Sequence, residues 1–131
     1  EDLVIAADGG YSALSERGIR CGLLVGDLDS EDSPPTDIEI LRHPIEKDET
    51  DMHLAYEIGK SKGYTDFCFY GGVGGREDHT FANYCLLLRV KNDKNQACLI
   101  GKNTESFVIK DEKIKIFGIE IIVLAKAMSW R

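Results

Sequence analysis

The stretch Gly22-Leu23-Leu24-Val25-Gly26-Asp27-Leu28-Asp29-Ser30 is an apolar run that ends in acid. The run is too short for a helix and the right length for a buried strand. Asp27 and Asp29 then stand two residues apart at the carboxyl end of that strand, the edge where open α/β sheets bind their ligands. Two carboxylates with no cation beside them suit a small divalent ion that takes oxygen ligands and keeps several waters, magnesium before zinc. Asp-x-Asp before Ser is also ordinary turn and helix-capping chemistry. Taken alone, the pair supports either reading.

Working outward toward the amino end, Leu3-Val4-Ile5-Ala6-Ala7 reads as another buried strand running into Asp8-Gly9-Gly10. Tyr11 to Arg17 follows as a helix stopped by Gly18. A strand, a glycine turn and a helix start bring backbone N–H groups close to a ligand, although any tight turn can use two glycines. The chain opens directly on this strand with no leader, which reads as a piece of a longer protein. Toward the carboxyl end, Ser33-Pro34-Pro35 is a loop and Ile38-Glu39-Ile40-Leu41-Arg42 a short strand closed by His43-Pro44. A second acidic cluster runs from Glu46 to Asp51, and Thr50 is placed to cap a helix from Asp51 to Lys62. That helix carries Leu54, Ala55 and Ile58 on one face and stops at Gly63. The helix dipole alone accounts for Asp51; Lys47 and Asp48, in the loop ahead of it, have no such structural explanation.

Asp66-Phe67-Cys68-Phe69-Tyr70 is the next strand, and it ends in Gly71-Gly72-Val73-Gly74-Gly75-Arg76-Glu77-Asp78-His79. A long helix is expected from Glu77 to Val90, with Phe81, Tyr84, Cys85 and Leu88 on its apolar side. A glycine-rich turn followed by Arg, Asp and His at a helix start makes an anion-binding place, and the guanidinium supplies a fork for phosphate oxygens. It is neither a Walker pattern nor a dinucleotide fingerprint. His79 by itself also reads as a packed or capping residue. Ala97 to Ile100 is a further strand, and Ser106 to Ile109, Lys113 to Phe117 and Ile119 to Leu124 read as consecutive short strands. The switch from strand–helix alternation to hairpins divides the chain into an α/β domain, 1–110, and the start of a β-rich element, 111–131.

At 131 residues, 43% hydrophobic and 30% charged, the chain has the composition of an ordinary folded domain. A formal net charge of −7 excludes nucleic acid as a partner, because no basic field is available to displace phosphate counterions. No apolar run approaches a membrane span and no signal-peptide pattern is present, so a cytoplasmic protein is expected. The 4 cysteines, Cys21, Cys68, Cys85 and Cys98, lack Cys-x-x-Cys spacing and are expected to be buried free thiols.

Each acid- or glycine-rich motif follows a strand or opens a helix, and in a mostly parallel sheet flanked by helices all of them share one edge. Carboxylates for a metal, glycine turns for phosphate, and a lysine and an arginine for charge are the components of phosphoryl transfer. The ordered motifs Ala7-Asp8-Gly9-Gly10, Gly26-Asp27-Leu28-Asp29-Ser30, Lys47-Asp48-Glu49-Thr50-Asp51 and Gly74-Gly75-Arg76-Glu77-Asp78-His79 resemble those of the catalytic domain of thiamine pyrophosphokinases. They span Ala7 to His79, about half the chain.

The resemblance implies a Rossmann-like, three-layer α/β fold and an enzyme that moves a pyrophosphoryl group from ATP to thiamine, giving thiamine diphosphate and AMP. It implies magnesium held by Asp27, Asp29 and Asp51, with Asp51 also a candidate acceptor of the thiamine hydroxyl proton. Lys47 and Arg76 would pair with phosphate oxygens, while Asp48 and Asp78 orient those cations or metal-bound waters. Asp8, Gly9 and Gly10 would line the substrate side, Gly74 and Gly75 would let backbone approach the nucleotide, and His79 would lie at the nucleotide site. A homodimer is also implied. The family's additional strand and helix ahead of the first motif, and its C-terminal β-sandwich, are not complete in this sequence. No thiamine-pocket residue is therefore carried over to Ser129-Trp130. Two other readings stay open: a magnesium-nucleotide-binding piece without catalysis, and a metal-dependent phosphohydrolase.

Overall fold

The computed structural model describes residues 1–7, 9–26, 35–42, 50–115 and 117. The calls on Asp8, Asp27, Asp29, Lys47 and Asp48, and on the strand 119–124, lie outside the described residues. In chain order the elements are β1 (Ile5–Ala7), α1 (Gly10–Glu16), β2 (Leu23–Gly26), β3 (Glu39–Arg42), α2 (Asp51–Ser61), β4 (Asp66–Tyr70), α3 (Glu77–Asn92), β5 (Gln96–Ile100) and β6 (Glu105–Ser106). The fold is mixed α/β, as the alternation of short apolar runs and helical stretches predicts.

The strands form two three-stranded sheets. In the first, ordered β1-β2-β3, every pairing is parallel, with Ala7 opposite Val25 and Gly26 opposite Arg42. In the second, β4 and β5 are parallel, with Tyr70 opposite Ile100, and β6 adds antiparallel to β5. Leu23, Leu24 and Val25 are all buried, which is why β2 reads as a continuous apolar run and not as an alternation. Among the described helices none is long and apolar enough to cross a membrane.

Helix α2 joins the two sheets. It packs against β1 and β2 and touches α3. On its other side the fully buried Tyr56 meets Phe67 of β4 edge to face, with ring centroids 4.8 Å apart. A Cβ on Gly59 would stand 2.8 Å from Cε1 of Phe67, so only glycine lets α2 approach β4 this closely. Tyr56, Phe69, Leu86, Leu87, Val90 and Leu99 form one core cluster; Ala6, Cys21 and Leu24, covered by Tyr11, Leu14, Ile38 and Ile40, form the other.

Three expectations are corrected. The buried face of α3 is Asn83, Leu86, Leu87 and Val90, whereas Phe81, Cys85 and Leu88 are exposed and Tyr84 is only half-buried. Two stripes with the same i, i+3, i+4, i+7 spacing compete on this helix, offset by two residues and so on nearly opposite faces, and the aliphatic stripe takes the sheet. Of the thiols, Cys21 is buried, but Cys68 and Cys85 are exposed and Cys98 is intermediate. Cys68 lies between Phe67 and Phe69, whose side chains take the core side of β4, so alternation turns it outward. It sits opposite Cys98 with the two sulfurs 3.4 Å apart, and burial and the neighbouring thiol push Cys98 up to about 11. Finally, β6 is two residues long and 107–115 contain no strand, although Lys113-Ile114-Lys115 alternates. Alternation permits a strand, but a ladder partner is needed to make one.

Candidate active site

The loops that leave the carboxyl ends of β1 and β4 face the start of α2 across a cleft of about 470 Å³. Ala7 and Gly9 line it from the first sheet, and Thr50, Asp51 and Met52 from the first turn of α2. Gly71, Gly72 and Gly75 come from the turn after β4, and Arg76, His79, Thr80 and Asn83 from the leading half of α3. The described parts of three of the motifs, at Gly9, at Thr50 and Asp51, and at Gly75 to His79, thus meet at one cleft.

Thr50 caps α2 as its sequence predicts, its Oγ1 accepting from the backbone N–H of His53 at 3.2 Å. That cap fixes Asp51 in the first helical turn, half-buried at the cleft wall. Arg76 is the residue before α3, in an extended conformation and without a side-chain cap of its own. Its guanidinium is held instead by Asp78, with Nε donating to Oδ1 at 3.1 Å and the second terminal nitrogen donating to Oδ2 at 2.7 Å. The Arg76 hydrogen bonds, with help from the His79 backbone N–H, keep the Asp78 carboxyl below its ordinary range. Both side chains are well exposed, so the pair adds little to stability. Its effect is orientational: Asp78 occupies one side of the fork and leaves the remaining N–H groups for an anion.

The glycines of the turn have distinct reasons to be glycine. Gly71 and Gly74 have φ of 76° and 90°, a region that costs any other residue strain. At Gly72 the obstacle is contact, since a Cβ would fall 2.6 Å from Nδ2 of Asn83 and 2.9 Å from Cδ1 of Leu99. A Cβ on Gly75 would meet open space, because this residue borders the cleft.

Of the described candidates, the structure brings Gly9, Asp51, Gly75, Arg76 and His79 to the cleft lining. Gly10, Gly74 and Asp78 are not in that lining: Gly10 opens α1, Gly74 shapes the turn, and Asp78 acts on Arg76. Two participants escaped the sequence reading. Gly72 was read only as one glycine of the turn, and Asn83 was not singled out. The available signal was spacing, since Asn83 follows His79 by four residues and so lies on the same side of α3. Asn83 is 5% exposed and its Nδ2 donates to the Gly72 carbonyl at 3.0 Å, while its Oδ1 has no partner among the described residues. A buried acceptor left without a donor costs about 1–3 kcal/mol.

No group of three or more His, Cys, Asp or Glu able to hold a metal occurs among the described residues. Asp51 is the carboxylate that lines the cleft there.

The family model for thiamin pyrophosphokinase, catalytic domain, matches residues 1–99. The chain belongs to the thiamin pyrophosphokinase family. Solved structures agree. Thiamine pyrophosphokinase from Bacillus subtilis superposes with a TM-score of 0.68 at 28% identity, over 76% of this chain and 50% of that one. The enzyme from Geobacillus thermodenitrificans gives 0.62 at 28% identity, over 76% and 49%. A probable thiamine pyrophosphokinase from Staphylococcus saprophyticus gives 0.65 at 27% identity, over 80% and 56%. A comparison with curated proteins gives no match. The chain therefore spans about half the length of these structural relatives of the pyrophosphokinase family.

Proposed function

We propose that this chain carries the nucleotide-handling half of a magnesium-dependent thiamine diphosphokinase, which transfers pyrophosphate from ATP to thiamine and releases AMP. The observation that carries the reading is the convergence of Asp51, the glycine turn and the Asp78-held Arg76 on one cleft, in a chain of this family. In this reaction the thiamine hydroxyl oxygen bonds to the β-phosphorus, the bond from that phosphorus to the α–β bridging oxygen breaks, and AMP leaves with the electron pair. Arg76 and Lys47 neutralise the charge that builds on the phosphate oxygens. Backbone N–H groups of the glycine turn and of Gly9 bind the same oxygens with His79 beside them, and Gly10, which opens α1, faces the substrate side.

Asp27, Asp29 and Asp51 are proposed to hold magnesium, which would supply charge neutralisation on the triphosphate. Carboxylate oxygens are the right donors for that ion. Asp27 and Asp29 follow Gly26 directly in sequence, and Gly26 ends β2 one residue past the register partner of Ala7. Asp51 is also proposed to take the proton that the thiamine hydroxyl loses, Asp48 to orient Lys47 or a metal-bound water, and Asp8 to face the substrate. The reading further includes a cytoplasmic homodimer and a division near residue 110 between the catalytic domain and the tail.

The test is AMP formation by this chain from ATP and magnesium, with and without thiamine. Thiamine-dependent AMP is the expected result. Inorganic phosphate released equally well without thiamine would identify a hydrolase and overturn the transfer reading. Nucleotide binding with no AMP in either case would reduce the chain to a binding unit.

A further inference from the structure

We propose that Asn83 is a positioning residue for the phosphate-binding turn, fixing the Gly71–Gly75 backbone against α3 through the Gly72 carbonyl. Its functional consequence rests on the phosphotransfer reading given above; the contact itself does not.

Gly71 and Gly74 give this turn two residues with positive φ. No backbone-to-backbone hydrogen bond between described residues closes 71–75 on itself. A turn of that kind has many accessible conformations unless something outside it selects one. Val73 packs against the core from within the turn, and Asn83 supplies its polar hold. Its Nδ2 reaches the Gly72 carbonyl at 3.0 Å from within α3. The backbone at Gly72 lies so close to this amide and to Leu99 that no side chain would fit between them. Holding Gly72 sets where the chain emerges three and four residues later, at Gly75 and Arg76, and both line the cleft.

The rest of the amide argues against a purely structural role. Asn83 shares its face of α3 with Leu86, Leu87 and Val90. An aliphatic residue at that position would pack with them but leave the Gly72 carbonyl without this donor, whereas the asparagine satisfies that carbonyl at the expense of its own Oδ1, buried with no donor among the described residues. What the asparagine supplies, and an aliphatic residue cannot, is the hold on Gly72.

Asn83→Asp tests this at nearly constant volume. The carboxylate has no N–H for the Gly72 carbonyl, and its burial raises its pKa so that the neutral acid can donate again at low pH. In the ligand-free protein, backbone order parameters from 15N relaxation at Gly74, Gly75 and Arg76 are expected to fall from about 0.85 toward about 0.6 near neutral pH, while Leu87 and Val90 keep their amide protection. The KM for magnesium-ATP should rise about 10-fold with the thiamine KM unchanged, and the ratio of variant to parent activity should recover as pH falls. Asn83→Leu, which keeps the core packed, should loosen the turn equally without recovery at low pH; it decides the matter if the aspartate variant does not fold. Unchanged order parameters at Gly74 to Arg76 in a folded variant would overturn the proposal. If the parent chain makes no AMP, the reading of its function fails, while the relaxation measurement still decides the role of Asn83.

Discussion

Helices α2 and α3 carry a polar cluster at each end, and the two clusters are built on opposite plans. At the carboxyl ends, Asp93 Oδ2 accepts from the Tyr56 hydroxyl at 2.7 Å, from Lys60 at 3.1 Å and from Arg89 at 3.2 Å. Asn95 donates to the same hydroxyl, and Arg89 reaches Glu57 of α2 at 3.0 Å. Charges alternate, each group has several partners, and the fully buried Tyr56 anchors the network. At the amino ends Arg76 and Asp78 form an exposed pair, the turn is mostly glycine, and Asn83 keeps an acceptor unpaired among the described residues. A network whose groups are mutually satisfied stabilises the fold; one that leaves donors and space open is available to a ligand.

Asp27→Asn and Asp29→Asn should each abolish thiamine-dependent AMP formation with the circular-dichroism melting curve unchanged; retained turnover in both would remove the metal assignment. Arg76→Lys should lower kcat/KM on the order of 10²-fold, because an ammonium cannot both hold Asp78 bidentately and present a fork to phosphate. Near-normal steady-state rates would place Arg76 outside the site. The far cluster should answer in the other currency: Tyr56→Phe or Asp93→Asn should lower Tm by several degrees while turnover at 25 °C stays within about 2-fold of the parent, since the remaining ion pairs still join the helices.

The pH dependence sharpens the same comparison. The Tyr56 hydrogen bond, then that of Lys60, holds the Asp93 carboxyl below its ordinary value. A depressed folded pKa means stability that is present above the unfolded value and lost as pH falls through the folded one. Urea titrations should therefore show stability falling below about pH 4, and the fall should be shallower in Asp93→Asn. Asp78 is shifted in the same direction, but Asp78→Asn should barely change that profile, because its pair is exposed. The smallest effect should come from the exposed stripe of α3. Phe81→Ser should alter stability by no more than about 0.5 kcal/mol, whereas Leu87→Ala should cost about 2–5 kcal/mol by chemical denaturation.

How legible this was in the sequence depended on the kind of signal. β4 spans the predicted residues, and α2 and α3 begin at the predicted ones, because Thr50 and the glycine run are local stop and start signals. The apolar face of α3 was misjudged because local spacing cannot choose between two equivalent stripes; the sheet beneath it does. Cys68 was read as buried from its apolar neighbours, yet strand alternation sends neighbours to opposite faces. In the cleft, Arg76 and Asp51 were legible from charge and motif. Gly72 and Asn83 were not, since their importance lies in a contact made across eleven positions of chain.

With 16 residues, α3 is about 24 Å long, and it is anchored near Asp93 at one end and bears Arg76 at the other. Such a rod works as a pointer: a tilt of about one degree at the anchor sweeps the tip by about 0.4 Å. Misplacements near 1 Å are already expensive in group transfer, on the order of 10²-fold. The aim of Arg76 is therefore set partly at the opposite end of the helix, where the Asp93 cluster and the Arg89–Glu57 pair share the anchoring, so that no single substitution there releases it.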